Sequence, residues 1–71
     1  MEYTTTNLML LRSLISQGWP CEMLDILLRR CGAEQGTWDA LEKAGLVEVA
    51  RSRWCITATG KRWYNKRPKC V

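Results

Sequence analysis

Apolar residues come in short periodic groups along this chain, and the period changes partway. Leu8, Leu11, Leu14 and Ile15 recur at steps of three and four, the repeat of one helical face, and Thr4, Thr5, Thr6 and Asn7 ahead of them are all good N-caps. The pattern predicts a helix over 7–17 that Gly18 closes. Pro20 opens the next element, because a first helical turn tolerates a missing N–H. Leu24, Leu27, Leu28 and Cys31 form a second stripe with Met23 at its edge, and Asp25 stands four positions before Arg29 on the polar side. That gives a helix over 20–31, ended by Gly32. A third helix over 33–44 follows from the spacing of Trp38, Leu41 and Gly45. Gly36 weakens its first turn, and Thr37 is an alternative cap.

Past Gly45 the repeat shortens. Leu46-Val47-Glu48-Val49-Ala50 and Trp54-Cys55-Ile56-Thr57 are rich in β-branched and aromatic residues and flank the polar tripeptide Arg51-Ser52-Arg53. They predict a β-hairpin with a basic tip. Thr57 or Thr59 then caps a last helical stretch through Asn65, and Pro68 ends it. The chain divides into a single domain, 1–67, and a basic tail, 68–71. The fold class is α+β, mostly helical, with three helices, a two-stranded hairpin and a short terminal helix.

This order of elements resembles a winged helix-turn-helix domain. Leu41-Glu42-Lys43-Ala44-Gly45-Leu46-Val47 is similar to the end of that family's recognition helix, where a leucine packs inward and a glycine turns the chain into the first wing strand. Ile56-Thr57-Ala58-Thr59-Gly60-Lys61 resembles the stretch in bacterial regulators where the second wing strand caps the helix after it, and the domain as a whole is similar to small prokaryotic or phage regulators. The resemblance implies sequence-directed binding to double-stranded DNA and transcriptional control, with helix three in the major groove and the wing on flanking backbone. At 100° per residue, Trp38 and Leu41 facing inward turn Gly36, Asp39, Ala40 and Lys43 outward, with Gln35 near their edge. Gln35 and Lys43 are then the helix contacts, Arg51 and Arg53 the wing contacts, and Lys61 and Arg62 hold backbone, assisted by Lys66, Arg67 and Lys69.

Charge gives that picture a direction and a difficulty. The chain carries 11 Lys and Arg against 7 Asp and Glu, net +4, yet residues 1–50 hold four of the cations and all seven acids. The whole positive excess falls in the last 21 residues. Helix three opposes it: Asp39 lies on the outward face, and only Lys43 there is positive. A carboxylate accepts from a cytosine amino group, so Asp39 permits groove binding without favouring it generally. A different class of function fits these features as well: a non-catalytic winged-helix protein-interaction module, such as a phage-encoded, anti-CRISPR-like inhibitor of a host nucleic-acid-handling complex. Its contacts are Asp39 and the Trp63-Tyr64 pair, and its basic half meets an acidic protein surface. A domain this small buries only about 600–1,000 Å² on DNA, so a homodimer is expected for useful specificity.

Other chemistry finds little support. With 71 residues, 46% of them hydrophobic and 25% charged, the chain is long enough for one core. The longest apolar run, Leu8-Met9-Leu10-Leu11, is far short of the roughly 20 residues a membrane span needs, and no secretory leader is visible. A soluble, cytoplasmic protein with no membrane partner is expected. Histidine is absent, no carboxylate pair has an acid/base or metal spacing, and no glycine-rich loop follows a strand. Neither an enzyme, a small-molecule substrate nor a cofactor is predicted. The gaps between Cys21, Cys31, Cys55 and Cys70, at 10, 24 and 15 positions, lack the close pairing of a zinc site. The first three read as small core residues and Cys70 as a tail thiol. Among the tryptophans, Trp38 and Trp54 belong to the core, Trp19 bridges helices one and two, and one ring of Trp63-Tyr64 should point outward.

Overall fold

The computed structural model describes residues 2–68, so Lys69, Cys70 and Val71 of the predicted tail lie outside the described residues. The elements are α1 (Thr5–Ser16), β1 (Trp19–Pro20), a 3-10 turn (Cys21–Met23), α2 (Leu24–Arg30), α3 (Gln35–Lys43), β2 (Val47–Ala50), β3 (Arg53–Ile56) and α4 (Ala58–Asn65). This is a mostly helical α+β chain with a three-stranded antiparallel sheet in the order β1-β3-β2.

Several helix ends have a local cause. Thr4 caps α1, its Oγ1 accepting from the Asn7 N–H at 3.1 Å. Both α2 and α3 end in the same glycine motif. Gly45 adopts φ +78 and donates to the Glu42 carbonyl at 2.9 Å, while Leu46 N–H reaches back to the Leu41 carbonyl at 3.1 Å. Gly32 and Ala33 repeat this pattern onto Arg29 and Leu28. In α3 the motif also brings together two buried leucines, Leu41 and Leu46, so the turn and the core are specified by one stretch of sequence.

Three sequence expectations need correction. The buried face of α1 is Asn7, Leu10, Leu11 and Leu14, whereas Leu8 is half-buried and Ile15 exposed. The run Leu8–Leu11 allows two helical phases. The polar Asn7 joins the inner one because its Nδ2 donates to the Glu2 carbonyl at 2.9 Å. Pro20 does not open α2. It is extended (φ −56, ψ 136) and pairs with Arg53 in β1, while Trp19 pairs with Trp54. β1 is an edge strand, where a residue without an N–H is tolerated. Thr37 is not the cap of α3: its N–H donates to the Glu34 carbonyl, which places it in the first turn.

The core consists of Leu10, Leu11, Leu14, Leu27, Leu28, Trp38, Leu41, Leu46, Val47 and Trp54. Trp38 and Trp54 meet edge to face, with ring centroids 5.0 Å apart and planes at 87°, the geometry the ring quadrupoles favour. Thr57 joins the sheet to α4. Its N–H donates to the Leu46 carbonyl at 3.0 Å, its hydroxyl donates to the Gly45 carbonyl at 2.7 Å, and the same oxygen accepts from Gly60 N–H at 2.9 Å. One threonine therefore caps α4 and fixes it to the α3–β2 corner.

Candidate nucleic-acid interface

α3 presents an exposed stripe of Gln35, Asp39 and Lys43, each four residues from the last. Gln35 Nε2 donates to Asp39 Oδ1 at 3.0 Å. The amide predicted to read a base is therefore engaged with the acid beside it. Glu42 is exposed as well, and Glu34 precedes the helix without a side-chain capping bond. The positive charge of α3 rests on Lys43 in its last turn, where it complements the helix dipole.

The hairpin tip is shorter than the predicted tripeptide. Arg53 belongs to β3, opposite Ala50 on one side and Pro20 on the other, and its Nη2 donates to the Gly18 carbonyl at 2.9 Å. The turn is Arg51-Ser52 alone, with φ of +54 and +62. Left-handed conformations at both central residues make the tight hairpin turn whose twist matches the strands, a turn that normally takes Asn-Gly. For an L-residue with a full side chain that conformation costs roughly 1–2 kcal/mol. The Ser52 carbonyl accepts from Cys21 N–H at 3.1 Å, tying the tip to the 3-10 turn. Arg51 is thus held on a two-residue turn braced from behind. Ser52→Gly should relieve the left-handed strain and raise stability by about 1 kcal/mol, read as a higher Tm in thermal unfolding.

The cations of α4 lie elsewhere. Lys61, Arg62, Lys66 and Arg67 are all exposed. Trp63 is half-buried against the core, and Tyr3 stacks on it with centroids 4.3 Å apart and planes 7° from parallel, while Tyr3 Oη donates to the Trp63 carbonyl at 2.9 Å. Tyr64 also packs on the core. Arg67 lies over its ring, Cζ 4.0 Å from the centroid, and Nη1 donates to the Tyr64 carbonyl at 2.9 Å. Each ring is half-buried and has a second side chain laid against it.

Two participants at this end were not anticipated, Tyr3 and Arg12. Arg12 shares a groove of about 260 Å³ with Thr5, Leu8, Met9, Tyr64 and Arg67, and a second groove of about 300 Å³ joins Tyr3, Thr59, Arg62, Trp63 and Lys66. Arg12 is the lone charged residue of α1, which was a visible signal. Tyr3 precedes the cap and belongs to no periodic group.

The predicted contacts thus form three groups: Gln35, Asp39 and Lys43 on α3; Arg51 and Arg53 at the hairpin; and Lys61, Arg62, Trp63 and Tyr64 on α4. Among the described residues no group of three His, Cys, Asp or Glu is placed to hold a metal ion, and no helix is long and apolar enough to cross a membrane. Cys21, Cys31 and Cys55 are free and half-buried. Compared with known proteins, the chain matches no family model, and no curated protein or solved structure resembles it significantly.

Proposed function

We propose that this chain is a winged-helix protein that binds double-stranded DNA, with β2 and β3 as the wing and α3 as the helix presented to the groove. The order α1-β1-α2-α3-β2-β3 and the sheet order β1-β3-β2 support the winged-helix arrangement. The observation that carries the DNA reading is the hairpin tip. An arginine and a serine occupy two left-handed positions where Asn-Gly would be less strained. Strain retained at an exposed tip points to a use for the side chain it presents. Arg51 is the phosphate or minor-groove contact in this proposal, and Lys43 adds a second cation from α3. Transcriptional regulation is the role we assign to such binding.

A second reading rests on a different observation, the Gln35–Asp39 hydrogen bond on an α3 that also exposes Glu42. That surface suits a protein partner, with the chain acting as a non-catalytic inhibitor of a nucleic-acid-handling complex. Asp39→Arg separates the two. In the DNA-binding proposal it removes a repulsive charge and releases the Gln35 amide, and affinity for a mixed-sequence duplex at about 50 mM salt should rise roughly tenfold. Fluorescence anisotropy with a labelled duplex reads this directly. A wild-type chain and an Asp39→Arg chain that both leave the duplex free would sink the DNA proposal and leave the protein-binding one.

A further inference from the structure

Charge is unevenly spread over the helices of this molecule. α1 and α4, together with Lys66 and Arg67, carry Arg12, Lys61, Arg62, Lys66 and Arg67 and no carboxylate, whereas Asp39, Glu42 and Glu34 lie on or beside α3. α4 packs on α1, and the two grooves flanking α4 hold Arg12 with Arg67 on one side and Arg62 with Lys66 on the other. Neither groove is lined by a residue of α3 or of the hairpin. The hairpin tip is tied instead to Cys21 through the Ser52 carbonyl, and the neighbouring Arg53 to Gly18, both past the C-terminal end of α1.

We infer that the α1–α4 face is a second DNA-binding surface, one that holds the phosphate backbone of a duplex independently of the wing and α3. Charge complementarity selects the ligand, since five cations against one nearby acid, Glu2 beside Tyr3, leave the positive excess that a phosphate backbone neutralises. Preorganisation supports the assignment. Arg67 is already fixed by its stack on Tyr64 and its bond to the Tyr64 carbonyl, so it loses little freedom on binding and keeps its other N–H donors for phosphate. Trp63 and Tyr64 favour duplex backbone over single-stranded bases. Trp63 lies between Tyr3 and the core, and Tyr64 between Arg67 and the core, so neither offers an open face for a base to stack on.

The test compares three chains against a mixed-sequence duplex over about 50–200 mM salt: wild type, Arg51→Glu, and Arg62→Glu/Lys66→Glu/Arg67→Glu. A backbone contact by three cations predicts that the triple variant lowers the slope of log affinity against log salt by roughly 2.7. It also predicts that the Trp63 indole N–H signal of wild type shifts on adding duplex, a readout that needs no variant to fold. A slope lowered by about that amount in the triple variant together with that indole shift supports the second surface, whatever Arg51→Glu does. An unchanged slope and an unmoved Trp63 signal, with binding lost only in Arg51→Glu, overturn it while leaving the proposed function standing. No duplex binding by wild type overturns both. A Trp63 signal that moves only with an acidic protein overturns the choice of DNA.

Discussion

Gly60→Ala is expected to lower the melting temperature by roughly 8–16 °C, a loss of about 2 kcal/mol, although alanine is by far the better helix former. Gly60 is buried within α4, and a methyl group there would run into the Leu46 carbonyl oxygen and the Ile56 side chain. Ile56 has rotamers with which to yield. The Leu46 carbonyl does not, because it accepts the Thr57 N–H at 3.0 Å and Thr57 is in turn bonded to Gly45. α4 would have to lift off the sheet, straining the Thr57 cap and the Tyr3–Trp63 stack. Gly36→Ala is the control. It lies in the first turn of α3 with nothing within 4 Å of the added carbon, so there the helix preference acts alone and stability should rise by up to about 1 kcal/mol. Thermal unfolding of the two variants should therefore give shifts of opposite sign. A Gly60→Ala chain as stable as wild type would mean that α4 does not sit on the Leu46 carbonyl as described.

Arg51→Glu should weaken duplex binding by about 10- to 100-fold at about 50 mM salt. A charge-assisted phosphate contact contributes roughly 1.5–3 kcal/mol, and each 1.4 kcal/mol is a factor of ten. Arg51 is a better probe than Arg53, whose guanidinium bonds the Gly18 carbonyl and whose loss would loosen β1 as well as remove charge. The most telling variant is the pair Arg51→Asn/Ser52→Gly. It gives the turn the residues its backbone prefers, so the melting temperature should rise while DNA affinity falls. Stability and binding moving in opposite directions is the mark of a tip whose strain is kept for its side chain. If both rise together, Arg51 is not a DNA contact.

Much of this fold was legible because its signals are local. Gly32 and Gly45 end helices through their own left-handed geometry, Thr57 caps α4 from the adjacent residue, and the β-branched runs on either side of Arg51 gave the hairpin. What escaped notice depends on partners distant in sequence. β1 is two residues long, with no alternation of its own, and exists because Trp19 and Pro20 meet Trp54 and Arg53. Its absence from the sequence pattern is also why Pro20 read as a helix start and Arg53 as part of a tip. Similarly, the phase of α1 hinged on Asn7 finding the Glu2 carbonyl.

The candidate site divides along the same line. Each cation was visible as a residue, and the excess of charge after Ala50 was plain, yet sequence order suggested one basic half. The structure divides that half into Arg51 on its turn with Arg53, which alone bonds the Gly18 carbonyl, and an α4 group that recruits Arg12 and Tyr3 from the start of the chain. Helical geometry correctly turned Gln35, Asp39 and Lys43 outward together. It could not reveal that Gln35 and Asp39 bond each other.

The central claim, that this chain binds double-stranded DNA through its wing and α3, is tested most directly by an amide NMR titration of the labelled protein. A mixed-sequence duplex is added at about 50 mM salt and the series repeated at about 200 mM. Shifts at Arg51, Ser52, Gln35 and Lys43 that shrink at the higher salt are the predicted result. A spectrum in which those four signals stay in place while duplex is added to excess would contradict it.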